Sequence, residues 1–319
     1  MKVAEFKEFQ KGLEHLTDSQ LNYLEQLFSE NNRSQQITQE LEQRLVEKPE
    51  CPHCHSHVIN RHGKMPGNIQ RYRCKNCLKT FNARTGTPLA RLHFKERWMD
   101  YIQCMIEGKT LRVSASACHI DVKTAFRWRH RLLELPATLK AQVLEGIVEM
   151  DETAFRYSEK GNKTLSRPGR KRGSLANKAG RSKEDWVPVL TARDRGKHTI
   201  ESVLKDTSFI QIDRELQGKI EPDSILCSDG LRSYQKIANQ YGLVHKQLNL
   251  SAKKRVIERV FHIQNVNAYH SRLKNWMRRF KGVATKYLEN YLGWYRFLDT
   301  AENPNEKNLF KIQQQLVGT

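Results

Sequence analysis

The stretch Gly146-Ile-Val-Glu-Met-Asp-Glu-Thr-Ala-Phe155 decides which fold the chain can adopt. As a β-strand it places Ile147, Glu149 and Asp151 on one face and the alternate side chains on the other. Its apolar flanks predict that the Asp151 carboxylate lies at the edge of a sheet, inside a core. A buried carboxylate is retained when it is protonated, paired or bound to a metal, because burial without a partner is costly.

A second apolar run, Ser224-Ile-Leu-Cys-Ser-Asp229-Gly230, also ends in an aspartate and then a glycine. Two strands tipped in this way predict that Asp151 and Asp229 converge on a divalent cation. The alternative interpretation is that each aspartate caps a turn or the following helix. The residues alone leave both interpretations open.

The charge balance narrows the class of partner. The 319 residues include 55 Lys and Arg against 35 Asp and Glu, which gives a formal net charge of +20. This surplus favours a polyanion, because neutralising phosphates releases counterions. No apolar run approaches the ~20 residues of a membrane helix. We therefore expect nucleic acid, and no membrane, as the partner.

Two Cys-x-x-Cys pairs give the most specific local signal. Cys51-Pro-His-Cys54 is followed by Cys74-Lys-Asn-Cys77, after a segment with room for a β-hairpin. Four thiolates at this spacing predict one structural, tetrahedral zinc ion that contributes to folding. A disulfide is the alternative, but nothing indicates secretion. We expect a zinc ribbon at residues 49–87, after an N-terminal helical segment at residues 1–48.

Residues 88–140 are predicted to form a DNA-binding module that is helical from residue 88 to residue 136, with a helix-turn-helix-like second half. The turn surrounds Ile120-Asp121-Val122, and the helix after it carries Arg129 among other basic residues. One side of that helix suits a DNA major groove, and the predicted contacts on it are Lys123, Thr124, Arg127 and Arg131. The alternative is an ordinary helical bundle with a basic surface.

A basic insertion follows the Asp151 strand at residues 158–184, with nine Lys or Arg against two Glu. We predict that it clamps a DNA backbone through contacts that include Arg170, Lys171 and Arg172. A solvated surface loop is the alternative. Beyond the insertion, alternating strands and helices predict an α/β domain with helices on both faces of a mixed sheet.

The last long helix carries a third set of polar side chains. Its apolar positions recur at spacings of 3 and 4, which predicts a face packed on the sheet: Val266, Tyr269, Leu273, Trp276 and Phe280. Asn267 and Lys274 lie on a neighbouring face and point the same way, since seven residues make about two turns. An amide oxygen can ligate Mg²⁺, and a lysine can hold a phosphate. A basic, solvated helix edge is the alternative.

These motifs together resemble the bacterial insertion-sequence transposases of the family numbered fifteen-ninety-five. The resemblance rests on the cysteine pairs, Met150-Asp-Glu-Thr153, Ser228-Asp-Gly230 and His262-Ile-Gln-Asn-Val-Asn-Ala-Tyr-His-Ser-Arg-Leu-Lys274. It implies an RNase H-like catalytic domain at residues 141–300, followed by a tail at residues 301–319.

The resemblance also implies a reaction. Such a transposase binds the terminal inverted repeats of its element, cleaves a DNA strand there and transfers it to target DNA. The implied catalytic residues are Asp151, Asp229, Asn267 and Lys274. The first three would hold two Mg²⁺ (or Mn²⁺) ions, and His270 is the alternative to Asn267.

The implied setting is a homodimer or larger assembly on double-stranded DNA, in the bacterial cytoplasm at the nucleoid. Arg278 and Arg279 are further expected DNA contacts. Two rival functions fit the same motifs. One is a non-catalytic DNA-binding regulator, and the other is an RNase H-like nuclease or resolvase that cleaves without joining.

Overall fold

The computed structural model describes residues 12, 16–22, 39, 41–43, 45–65, 68–87, 89–93, 97–138, 140–168, 185–248 and 255–300. The chain divides into two compact units between Phe126 and Arg127. Most of the predicted N-terminal helical segment and the predicted tail lie outside the described residues, as do Arg170, Lys171 and Arg172.

The first unit contains a small antiparallel sheet with strands in the order β1-β2-β3. The strands are β1 (Ile59–Met65), β2 (Ile69–Cys74) and β3 (Thr80–Asn82). The β1–β2 hairpin lies between the two Cys-x-x-Cys pairs, as predicted. Its hydrophobic cluster is small: Tyr72 stacks on Phe81 at 5.9 Å between ring centroids, beside the buried Cys51 and Cys74. A core of this size needs an additional source of stability.

Three helices follow: α1 (Trp98–Ile106), α2 (Leu111–Ala117) and α3 (Val122–Thr138). The turn between α2 and α3 falls where the sequence places it. The Asp121 carboxylate accepts a hydrogen bond from the Lys123 amide at 2.7 Å and so caps the start of α3.

The helical prediction is wrong for residues 89–93, which form turns. The Ala90 amide donates to the Thr87 carbonyl at 3.1 Å, and the Leu89 amide donates to the Thr87 hydroxyl at 3.2 Å. Thr87 therefore supplies a local hydrogen-bonding alternative that competes with helix formation.

The second unit is built on a five-stranded sheet in the order β6-β5-β4-β7-β8. Strands β4, β5 and β6 are antiparallel, whereas β4, β7 and β8 are parallel. The elements in chain order are β4 (Ile147–Arg156), β5 (Trp186–Asp194), β6 (Thr199–Val203), α4 (Phe209–Leu216), β7 (Ile225–Ser228), α5 (Arg232–Tyr241), β8 (Val244–Gln247), α6 (Gln264–Arg278) and α7 (Leu288–Thr300). This arrangement confirms the predicted α/β, RNase H-like fold class.

The alternation of β4 explains how both sheet faces are covered. Val148 and Met150 are fully buried against the apolar sides of α4 and α5. Glu149 and Asp151 point to the opposite face, where α6 packs on β4 and β5. The predicted apolar stripe of α6 is buried there, from Val266 to Trp276. None of the helices in the described ranges is long and apolar enough to cross a membrane.

Candidate catalytic and zinc sites

Asp151 and Asp229 lie side by side at one edge of the β4–β7 pair. The two strands run parallel, and their register ends with Met150 opposite Ser228, so each aspartate comes directly after this last pair. Neighbouring strands are about 4.8 Å apart. Burial raises the pKa of Asp229, and the negative charge of Asp151 raises it further. The structure thus brings the two aspartates to the same edge of the sheet. Their joint binding of a divalent cation stays a prediction.

The two aspartates differ in their local setting. Asp229 follows the end of β7, and its Oδ1 accepts a hydrogen bond from the Leu231 amide at 3.0 Å. It therefore caps the turn as well as facing Asp151. Asp151 does not end its strand: β4 continues to Arg156, because β5 remains available for pairing after β7 has stopped.

A third carboxylate, Glu152, approaches from the other face of β4. Its Oε2 accepts a hydrogen bond from the Tyr234 hydroxyl at 2.6 Å. Burial raises the pKa of Glu152, and the charges of Asp151 and Asp229 add to the rise. No sequence motif assigns Glu152 a role. The residue follows a candidate metal ligand directly, but its approach to both aspartates depends on tertiary structure.

His270 is the α6 residue that faces Asp151. Its Nδ1 lies 3.6 Å from Asp151 Oδ2, and its Nε2 forms a hydrogen bond with Thr191 Oγ1 at 2.9 Å. Thr191 stands opposite Asp151 in the β4–β5 register. The buried imidazole thus links three elements at the carboxylate that the sequence singles out.

Asn267 and Lys274 are exposed on α6, one turn before and one turn after His270. Lys274 lines the same cleft as Glu152. On a helix with 100° per residue, both point about 40–60° away from His270. His270 is therefore the residue of the three that contacts Asp151. Asn267 and Lys274 are exposed and accessible to a ligand.

Glu149 fastens the start of α6 to β4. It is fully buried, and its Oε2 accepts hydrogen bonds from the amides of Asn265 at 2.9 Å and Val266 at 3.0 Å. Its Oε1 accepts a third from Asn265 Nδ2 at 2.8 Å and lies 3.1 Å from Arg195 Nη2. A carboxylate at a helix N-terminus satisfies free amides and suits the helix dipole. Sequence reasoning placed Glu149 on the Asp151 face but missed this role.

The four cysteines of the ribbon form a compact ligand set. The sulfurs of Cys51, Cys54, Cys74 and Cys77 all lie within 4.8 Å of one another. Two of the distances, Cys51 to Cys77 and Cys54 to Cys74, are 3.6 Å. A tetrahedron with Zn–S bonds of about 2.3 Å has sulfurs about 3.8 Å apart. This donor set fits a structural zinc ion.

Local backbone geometry favours the thiolate form of Cys74 and shapes the turn of both pairs. The backbone amide of Cys77, helped by that of Asn76, lowers the pKa of the Cys74 thiol to about 6. His55 and Leu78 each follow the last cysteine of a pair and adopt positive φ, at 59° in both cases. Both pairs thus turn in the same way, and the predicted zinc ligands converge at one point.

The sheet edge that carries Asp151 and Asp229 has a less compact set of potential metal ligands than the zinc site. Among the described residues, only the four cysteines form a group of three or more His, Cys, Asp or Glu side chains with all donor atoms within 4.8 Å. Asp151 and Asp229 form no such group with a third described residue of these four types. Mg²⁺ suits an open site of this kind, because it is commonly held by one or two carboxylates together with water and phosphate oxygens.

The predicted DNA contacts of α3 are unequally exposed. Lys123 and Arg127 are exposed, and Thr124 and Arg131 are half-buried. Arg129 is buried, so it is not available to DNA. It occupies the inner side of α3, with its guanidinium 5.8 Å from the Phe280 ring centre and 5.1 Å from that of Trp294.

The end of α6 retains two exposed cations. Arg278 lies at the cleft that Lys274 also lines. Arg279 donates from Nε to the Trp276 carbonyl at 3.1 Å and covers the Trp276 ring at 5.8 Å. Both remain predicted DNA contacts.

Comparison with known proteins now adds to this geometry. Residues 143–297 match the ISXO2-like transposase domain, and residues 49–78 match the InsA N-terminal domain. An uncharacterized protein in transposable element ISH50 of Halobacterium salinarum is 26% identical over 247 residues, which cover 76% of this chain and 82% of that protein. The first match contains Asp151 and Asp229, and the second contains all four zinc-site cysteines. The chain therefore carries an ISXO2-like transposase domain, the domain of the predicted family, behind a zinc ribbon.

Proposed function

We propose that this protein binds the terminal inverted repeats of an insertion sequence, cleaves a DNA strand there and joins the freed 3′ end to target DNA. The proposal rests on the placement of Asp151 and Asp229 directly after the Met150–Ser228 pair of the parallel strands β4 and β7, in an ISXO2-like transposase domain. The net charge of +20 favours double-stranded DNA as the partner.

The donors at this edge fit Mg²⁺ (or Mn²⁺). Asp151 and Asp229 offer carboxylate oxygens, and the exposed Asn267 offers an amide oxygen. We assign these three residues as ligands of two ions, because Mg²⁺ prefers oxygen donors. Bound ions would activate the attacking water or 3′-hydroxyl and stabilise the departing oxygen. His270, a nitrogen donor already engaged by Thr191, serves to orient Asp151.

The remaining groups hold the substrate and fix the geometry. Lys274 lines the cleft beside the carboxylates and binds a DNA phosphate there. Glu149 anchors the first turn of α6, so that Asn267 and His270 meet β4 in one register. Small errors in such positioning are costly to rate.

DNA recognition is assigned to elements outside the sheet. The zinc ribbon and α3 read the terminal repeats, with Lys123, Thr124, Arg127 and Arg131 toward the DNA. The basic insertion clamps the backbone through Arg170, Lys171 and Arg172, and Arg278 and Arg279 add contacts next to the cleavage site. Both ends of an element must be held together, so the active species is a homodimer or larger. We place it in the bacterial cytoplasm, at the nucleoid.

One assay separates this function from its rivals. Purified protein is incubated with Mg²⁺, a plasmid target and a labelled duplex that carries the end of the insertion sequence. Nicked and plasmid-joined products are expected, and the Asp151→Asn variant should bind the duplex but yield neither. Nicks without joined products would identify a nuclease, and binding without either product would identify a regulator.

A further inference from the structure

A cleft of about 1380 Å³ opens along β4 directly after Asp151, although neither Asp151 nor Asp229 lines it. Its lining includes Glu152 and Thr153, which follow Asp151 directly in β4. The other walls come from the start of the basic insertion, the start of β5 and the second half of α6. Typical small-molecule pockets hold about 300–1,000 Å³, so this cleft has room for a larger ligand.

The cleft carries an excess of positive charge. Three acidic residues line it, namely Glu152, Glu159 and Asp206. Six basic residues line it as well: Arg156, Lys160, Arg167, Lys205, Lys274 and Arg278. This balance suits a polyphosphate chain more than a neutral or cationic ligand.

Aromatic rings stand among these cations. Arg156 lies 5.7 Å from the Trp186 ring centre, and Arg167 lies 4.9 Å from that of Tyr157. Both rings line the cleft, and Phe155 accompanies them. Aromatic side chains interleaved with arginines are the surface on which nucleic-acid bases stack.

Hydrogen bonds and strand pairing hold Trp186 and Tyr157 in place. Arg156 pairs with Trp186 across β4 and β5, and the Tyr157 amide donates to the Asp185 carbonyl at 2.9 Å. The next residue, Ser158, donates from its amide to the Thr285 hydroxyl at 2.9 Å. A fixed platform of this kind lowers the entropy lost when a ligand stacks on it.

Base faces are hidden inside a duplex, so stacking of this kind requires unpaired nucleotides. We propose that the cleft binds an unpaired segment of the DNA strand next to the cleavage position. Its bases stack on Trp186 and Tyr157, and its phosphates contact Lys274 and Arg278. The proposal rests on the proposed function, because it requires DNA at Asp151. It implies that the two DNA strands separate next to the cleavage position when the domain binds them.

Photocrosslinking tests the proposal on the full-length, zinc-loaded protein. The probe is an oligothymidine of ~12 nucleotides, within the usual length of single-strand sites, with one 5-iododeoxyuridine and no Mg²⁺ present. We expect crosslinks at Trp186 or Tyr157, identified by mass spectrometry. Crosslinks confined to residues outside the cleft would overturn the proposal, whether or not any variant folds.

Variants then test stacking itself. Trp186→Ala should weaken oligothymidine binding by about tenfold, in line with the loss of one base–aromatic stack, and Trp186→Phe should restore most of it. Tyr241→Ala is the matched control, because this partly buried aromatic lies on α5 and is not among the lining residues. Equal losses of oligothymidine affinity in Trp186→Ala and Tyr241→Ala would contradict base stacking in the cleft.

The two proposals can fail separately. Asp151→Asn should still crosslink at the cleft, because it removes a ligand for the metal and no stacking surface. If the wild-type protein crosslinked in the cleft but never cut DNA, binding of unpaired DNA in the cleft would be supported. The proposed cleavage and joining of DNA would be refuted. If the protein cut and joined DNA without crosslinking in the cleft, the proposed function would be supported. Binding of unpaired DNA in the cleft would be refuted.

Discussion

His270 Nδ1 lies 3.6 Å from Asp151 Oδ2. The other ring nitrogen is held by Thr191, which stands opposite Asp151 on the next strand. The imidazole is therefore placed to orient the carboxylate from the side of α6. A partner that orients a ligand in this way commonly changes metal affinity or activity by about 10–100-fold when it is removed.

Replacement of His270 tests that role. His270→Ala should lower the rate of end cleavage by about 10–100-fold and leave duplex binding unchanged, since the residue is buried behind the site. Ser271→Ala, an exposed neighbour on the same helix, is the matched control. Cleavage by His270→Ala at the rate of Ser271→Ala would show that the imidazole does not position Asp151.

Loss of Glu149 should act through the anchoring of α6. Glu149→Ala leaves the Asn265 and Val266 amides and Arg195 without their buried partner. We expect a loss of about 1–3 kcal/mol in the free energy of unfolding, together with slower cleavage. Glu145→Ala changes an exposed carboxylate just before β4 and should do neither. Denaturant unfolding would contradict this role if the two variants were equally stable.

Zinc removal should affect the ribbon selectively. Cys74→Ser or a strong chelator should release one zinc ion per chain, unfold the β1–β3 sheet and abolish binding of the terminal repeats. His53→Ala is the control, since His53 lies within the first pair but outside the ligand set. Metal analysis and hydrogen exchange provide the measurements. An intact β1–β3 sheet in zinc-free protein would contradict the structural role of the metal.

His130 should make stability depend on pH. Burial, then the charges of Arg129 and Lys286, lower the pKa of His130 from its usual 6.5 to about 4. Between these values the unfolded chain binds a proton that the folded protein does not, so stability falls as pH drops from 6.5 to 4.

Replacing His130 with phenylalanine isolates the contribution of His130 protonation to stability. The His130 ring lies 3.9 Å from the Tyr287 ring, so His130→Phe preserves the contact without the titration. Melting temperatures measured from pH 4 to pH 8 should decline less steeply toward acid in the variant. Parallel curves for the two proteins would contradict the assignment.

The sequence was most informative where chemistry is local. Four cysteines at fixed spacing predict the zinc site because each pair closes a turn of its own. Asp151 and Asp229 could be found because each follows a largely apolar run, and the parallel pairing of β4 with β7 ends at Met150 and Ser228, just before them.

Features that depend on register between elements could not be found in this way. His270 reaches Asp151 because β5 places Thr191 opposite it. Periodicity places Arg129 among the basic residues of α3, but only the packing of Phe280 and Trp294 shows that it faces inward. Glu152 was missed for the same reason, since its environment comes from α5.

Asp151 and Asp229 are proposed to bind a divalent cation together, and the proposed function depends on this binding. Electron paramagnetic resonance of free Mn²⁺ measures this directly in the zinc-loaded protein, without DNA or activity. We predict that the wild-type protein takes up Mn²⁺, that Mg²⁺ displaces it, and that Asp151→Asn and Asp229→Asn each lose most of the uptake. Undiminished Mn²⁺ binding by both variants would contradict the account.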